Sequence, residues 1–81
     1  MHVTLLLAEQ CSAASATLAL EVLSAANLFA DTPPFELVSA SLDGRDVNAW
    51  GGQVLRVDRA IADIPRTDLV VIPGFLFTLK D

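Results

Sequence analysis

The sequence predicts an α/β domain with a mainly parallel sheet, and two observations carry that prediction. Leu69, Val70, Val71 and Ile72 form a short apolar run without polar alternation, the pattern of a parallel strand covered on both faces. The segment from His2 to Ser41 reads strand, helix, strand, a βαβ unit whose crossover is almost always right-handed. Pro73-Gly74 follows the last strand directly, and open parallel sheets hold their ligand crevice just beyond the carboxyl ends of their strands.

Each element has its own local cause. His2-Val3-Thr4-Leu5-Leu6-Leu7-Ala8 is a hydrophobic strand, with Glu9-Gln10-Cys11-Ser12 as the loop after it. No positive charge precedes this run and Glu9 cuts it off, so it is read as a strand rather than a signal peptide. It also falls well short of the ~20 residues that cross a bilayer. A helix is expected from about Ala13 or Ala14 to Phe29, with Leu18, Val22, Ala25 and Phe29 as its apolar stripe and Leu28 beside them. Ser12 is the expected N-cap, or Ser15 if the helix starts later. Asp31-Thr32-Pro33-Pro34 ends it, because each proline lacks an amide donor and restricts the residue before it.

Phe35 to Ser41 is the second strand, and Leu42 to Arg45 turns. Val47 to Trp50 and Gln53 to Val57 flank Gly51-Gly52 and read as a hairpin. Asp58 to Ile64 is room for one helical turn ahead of Pro65, and Asp68 to Ile72 is the last strand. No internal repeat, low-complexity tract or linker interrupts the chain.

Composition narrows the function classes. At 81 residues the chain is one small domain at most, and 53% of it is hydrophobic. That excess fits faces meant to be covered by further chain or a partner, although alanines on an exposed helix also raise the count. The net charge of −5 and the scattering of Arg45, Arg56, Arg59, Arg66 and Lys80 argue against a nucleic-acid surface on this chain. A lone cysteine, Cys11, allows no internal disulfide and fits a reducing, cytoplasmic compartment. With one His and one Cys, neither a metal site nor a cofactor is expected. One helix of about sixteen residues spans ~24 Å. It covers one face of two or three strands, so the other face is expected bare and residues 1–81 are expected to be the N-terminal part of a larger layered domain.

Several residues invite a functional reading beside an ordinary one. Cys11 follows the first strand near a helix start, yet no base is visible to activate it, so a structural thiol is the simpler reading. Glu9 could face the crevice and hold a cation, or be a solvated loop residue. Glu21 could pair across a subunit contact or lie on an exposed helical face, and His2 is a strand-end residue with no triad partners. Trp50, beside the two glycines, could be a dimer contact or simple packing. Gly51-Gly52 lacks the lysine and following helix of a phosphate loop. Gly74 is read first as a turn requirement and second as a ligand contact, with Phe75 to Phe77 starting a pocket wall or the next helix.

Three strings together resemble the PfpI-type, class I glutamine-amidotransferase-like superfamily, and more narrowly the amidase-like N-terminal domain of AraC/XylS-type transcriptional regulators. They are Leu20-Glu21-Val22-Leu23-Ser24-Ala25-Ala26-Asn27 in the helix, the hairpin Ser39 to Val57 with Gly51-Gly52, and Asp68-Leu69-Val70-Val71-Ile72-Pro73-Gly74. Their order and spacing cover nearly the whole chain. The resemblance implies a flavodoxin-like three-layer sandwich of which only the N-terminal half is present, and in a full regulator a separate helix-turn-helix domain that binds DNA.

In enzymatic relatives, the resemblance implies a cysteine on a downstream strand-to-helix elbow, assisted by an acidic residue at the start of the first helix. No position here matches that cysteine, and the acidic position falls near Ser15. A neutral hydroxyl cannot tune a thiol as a carboxylate does. The family's second glycine after the strand is Phe75, whose side chain crowds a tetrahedral centre beside its amide. These departures fit a non-catalytic domain kept for ligand sensing or dimerisation, with Ser15, Pro73, Gly74 and Phe75 as ligand-binding residues and Trp50 as a contact in a homodimer. A small-molecule effector would be its ligand, DNA would be met only through the further domain, and no membrane is involved. Two alternatives stay open: the N-terminal part of a cysteine-dependent PfpI-type enzyme, isonitrile-hydratase-like or amidase-like, and a small interaction protein that pairs its open sheet with itself.

Overall fold

In the computed structural model, which describes residues 1–74, four parallel strands make one sheet with a single long helix against it. The order along the chain is β1 (His2–Leu6), α1 (Ala13–Phe29), β2 (Glu36–Ser41), β3 (Val47–Asn48), β4 (Val54–Leu55), β5 (Arg59–Ala60), a 3₁₀ turn (Ile61–Asp63) and β6 (Leu69–Val71). The strand order in space is β5-β2-β1-β6, so β1 is central, and β3 and β4 form a separate antiparallel hairpin. This is the α/β class with a mainly parallel sheet that the sequence predicts. β5 was not foreseen: two residues of the stretch read as a helical turn pair instead with Ala40 and Ser41 of β2.

The three long strands start flush. His2 pairs with Glu36, and Val3 with both Leu37 and Leu69. Backbone bonds clamp that edge, with the Glu36 amide donating to the Met1 carbonyl and the Asp68 amide to the His2 carbonyl, each at 2.8 Å. At the other edge the carboxyl ends of β1, β2 and β6 open onto the loops after them. That shared edge is where a crevice can form.

The core lies between the odd-numbered residues of β1, the helix and the hairpin. Leu5, Leu7, Cys11, Ala16, Val47 and Val57 form one buried cluster, with Leu55 and Val71 packed against it. The hairpin thus covers the same sheet face as α1, at the carboxyl end.

The helix boundaries agree with the sequence, but its orientation does not. Ala16 is buried and Ala19, Leu23 and Asn27 are half-buried, one residue per turn along the sheet-facing side. The expected stripe points the other way: Leu18, Val22, Ala25 and Phe29 are all exposed. The helix carries apolar residues around most of its circumference, so periodicity alone could not choose a face. Asn27 chooses it. Its side-chain amide donates to the Phe35 carbonyl at 2.8 Å and its oxygen accepts from the Phe35 amide at 2.9 Å, pinning the helix to the start of β2.

Two further expectations need correction. Among the described residues the last strand is not covered on both faces: it lies at the sheet edge, with Leu69, Val70 and Ile72 exposed. Nor is the second sheet face wholly bare. Thr4 and Ala40 point to it and are fully buried, and the Thr4 hydroxyl donates to the Thr67 hydroxyl at 2.8 Å, so the returning segment before β6 covers the centre of that face.

Candidate functional site

The carboxyl edge of β1 and β6 meets the amino end of α1, and hydrogen bonds hold the three together. Ser12 caps the helix: its hydroxyl accepts from the Ser15 amide at 3.2 Å. The Ser12 amide donates to the Gly74 carbonyl at 2.8 Å, and the Gly74 amide donates to the Ser15 hydroxyl at 3.2 Å. Ser15 and Gly74, far apart in sequence, are therefore direct partners at the expected crevice. The hydroxyl of Ser15 accepts from Gly74 and keeps its own proton available as a donor.

Pro73 and Gly74 take different parts. Pro73 is buried and packs inward, so it shapes the turn from within, whereas Gly74 is exposed. Reading Gly74 as a conformational requirement needs revision. Its φ is not in the left-handed region, where the described glycines are Gly44 and Gly52. Among the described residues, a Cβ built on Gly74 would meet only the Ser15 hydroxyl, at an ordinary 3.9 Å. Among the described residues neither strain nor crowding excludes a side chain, so what glycine supplies there is open space over the backbone. Phe75 lies outside the described residues.

The loop between β1 and α1 forms the rest of the rim. Gln10 has a positive φ of 68°, a costly conformation for a residue with a Cβ. It is held there by its amide, which donates to the Asn48 carbonyl at 2.8 Å. Glu9 is exposed on the rim, and both its carboxylate oxygens accept from the Asn48 amide at 3.3 Å. The sequence carries no signal for this tie, because it joins residues 39 apart.

Cys11 is completely buried in the core cluster, which makes it a structural thiol shielded from reagents. Its carbonyl accepts from the Trp50 amide at 3.1 Å. The hairpin turn is thereby drawn toward the crevice rim, with the Gly52 amide donating to the Ala49 carbonyl at 3.0 Å and Gly52 itself left-handed at φ 92°. Trp50 remains 54% exposed beside this junction. His2 lies at the opposite edge of the sheet, with Nδ1 3.1 Å from a carboxylate oxygen of Glu36. Among the described residues no group of His, Cys, Asp and Glu side chains could hold a metal ion, and no helix is long and apolar enough to cross a membrane.

The same architecture occurs in solved structures. An AraC family transcriptional regulator from Pseudomonas putida superposes with a TM-score of 0.76 and 33% identity over 99% of this chain and 50% of its own. The fold is of the DJ-1/PfpI type. A DJ-1 superfamily protein from Agrobacterium tumefaciens gives a TM-score of 0.65 at 26% identity, over 91% of this chain and 37% of its own. A transcriptional-regulator structure from Vibrio parahaemolyticus gives 0.73 at 22% identity, over 89% of this chain and 38% of its own, a likeness of fold alone. This chain thus spans half or less of the length of each of these proteins. No family model and no curated protein matches it. The resemblance to the PfpI-type domain of AraC-family regulators, carried by the three strings of sequence, is borne out by these neighbours.

Proposed function

We propose that this chain is the N-terminal part of a ligand-sensing, dimer-forming domain of an AraC-type transcriptional regulator, without catalytic activity of its own. The observation that carries the reading is the Ser15 hydroxyl, bonded to the Gly74 amide where a thiol-dependent enzyme of this type would need a carboxylate. The similarity to the P. putida regulator over almost the whole chain supports the regulatory half of the proposal.

In this reading a small polar effector occupies the open space over Gly74, with Ser15 donating its hydroxyl proton and Phe75, beyond the described residues, as a further ligand-binding residue. Pro73 shapes the turn from beneath. The effector acts by favouring one domain arrangement over another, and DNA is met through a helix-turn-helix domain outside residues 1–81. The protein works in the cytoplasm as a homodimer, with exposed Trp50 among its contact residues.

The test uses the natural regulator that contains this chain. Operator affinity is measured with and without a panel of amines, amides and amino acids, for the native protein and for Gly74→Ala. An effector is expected to change operator affinity by about 5- to 150-fold, the usual size of a coupling between two sites. Gly74→Ala is expected to abolish that response while keeping the native melting temperature, since among the described residues the added methyl meets only the Ser15 hydroxyl, at 3.9 Å. No response to any compound, or a full response in Gly74→Ala, counts against the reading.

A further inference from the structure

The groove between α1 and the hairpin is lined for most of its extent by hydrocarbon. Val3 and Leu5 of β1 and Leu37 of β2 form its floor, with Leu20 and Leu23 of α1 on one side and Leu55 of β4 on the other. It holds about 290 Å³, near the lower bound of ligand pockets. At the ~30 Å³ that a water occupies, this is room for roughly ten non-hydrogen atoms. The charged part of its lining comes from one short segment, Arg56 and Asp58, both exposed.

That segment is held in place from both sides. The Ser39 hydroxyl donates to the Arg56 carbonyl at 3.3 Å, and the Ser39 amide donates to one Asp58 carboxylate oxygen at 2.9 Å. In return the Asp58 amide donates to the Ser39 carbonyl at 3.1 Å. The Val57 amide between them donates to the Asp46 carboxylate at 2.9 Å. A rim fixed in advance gives up little freedom when a ligand arrives. Among the described residues the Arg56 guanidinium has no ion-pair partner, and Asp58 has none either.

Two unlike charges beside an apolar trough match neither a plain fatty anion nor a plain amine, because each would meet one group of its own sign. An apolar packing layer of further chain would strip water from both charges, which is costly. A small zwitterion with an apolar side chain satisfies all three features, its carboxylate taking the planar fork of an arginine. We propose that the groove between α1, β2 and β4 binds an apolar α-amino acid of leucine or phenylalanine size, with Arg56 meeting its carboxylate and Asp58 its ammonium group. The site is separate from the crevice, since neither Ser15 nor Gly74 lines the groove. It therefore does not depend on the function proposed above.

Isothermal calorimetry on the natural protein that contains this chain, without DNA, tests this with L-leucine, L-phenylalanine, isocaproate and isoamylamine. Leucine or phenylalanine is expected to bind with a Kd on the order of 0.1 mM, an ordinary affinity for about ten well-placed atoms. Isocaproate lacks the ammonium group and isoamylamine the carboxylate, so each should bind about ten-fold or more weaker than leucine. Arg56→Ala should weaken leucine binding by about ten-fold or more at an unchanged melting temperature, since its side chain is exposed. Asp58→Asn keeps an oxygen for the Ser39 amide and removes the charge, so it should erase the preference for leucine over isocaproate. Gly74→Ala should bind leucine as the native protein does. No binding of either amino acid at about 10 mM, a hundred times that Kd, would overturn the proposal. So would isocaproate or isoamylamine bound as tightly as leucine, native affinity in Arg56→Ala, or a preference for leucine that survives Asp58→Asn. Loss of binding in Gly74→Ala would also overturn it, by moving the ligand to the crevice. A failed operator response with this binding intact would instead overturn only the function proposed above.

Discussion

Asn27 illustrates how one side chain can settle what a dozen apolar residues leave open. Its amide satisfies both the carbonyl and the amide of Phe35, fixing the rotation of α1 against the sheet. Asn27→Ala leaves two part-buried backbone groups unpaired and is expected to cost about 1–3 kcal/mol in chemical denaturation. Asp68 is the matching device at the same amino edge of the sheet. Its carboxylate accepts from the His2 amide at 2.8 Å, and that bond, helped by Arg66 and by the nearby His2, lowers its pKa against the opposing effect of burial. Asp43 is lowered in the same way, first by the amide of Arg45. Both groups release their protons more readily folded than unfolded. Their stabilising effect is therefore complete above the unfolded carboxylate value of about 4 and disappears as pH falls through the lower folded values. Melting temperature should be level with respect to these groups from pH 7 to about 5 and should fall below about pH 4, and Asp68→Asn should flatten part of that fall.

At the scale of elements, the amino end of α1 joins structure to site. Ser12 contributes its hydroxyl to the Ser15 amide and its own amide to the Gly74 carbonyl, so helix cap and crevice share a residue. Ser12→Ala is expected to cost about 1 kcal/mol of stability, the usual value of a lost cap, while the backbone bond to Gly74 survives. Amide exchange of Ser15 should accelerate more than that of Gly74, and equal acceleration would mean that the cap also holds the turn. This junction was half legible in the sequence. Ser12 as a cap follows from its position before a run of helix formers, and Pro73-Gly74 after a strand marks a turn. The bond between Ser15 and Gly74 was not legible as a contact, because nothing local records a pairing across 59 residues. The same holds for Glu9 and the Asn48 amide, and for Cys11 and Trp50.

For the molecule as a whole, strand order governs where stability resides. β1 has a parallel neighbour on each side, and Val3 and Thr4 are essentially inaccessible to water. Hydrogen exchange should be slowest at Val3 to Leu6 and at their partners in β2, and fastest in the two-residue strands β4 and β5. Slower exchange in the hairpin than in β1 would contradict this architecture. Residual apolar exposure is also a property of the whole. A groove of about 290 Å³ lies beside α1, bounded by Leu5, Leu20, Leu23, Leu37 and Leu55. It is distinct in direction from the exposed outer face of the helix. One opens toward the rest of the sheet face and the other away from it.

Local patterning was sufficient to determine every element type except β5, the bounds of α1, the strand bounds to within two residues, the βαβ start and the hairpin at Gly51-Gly52. Alternation, capping residues and proline are short-range signals that the chain obeys wherever it is placed. Which side of α1 meets the sheet, that Arg59 and Ala60 pair with β2, that Pro73 turns inward while Gly74 stays open, and that Ser15 receives the Gly74 amide were decided by tertiary structure alone. The reason is physical. Each of these depends on which distant group satisfies a backbone amide or fills a given space, and a helix apolar nearly all round leaves that choice to its partners.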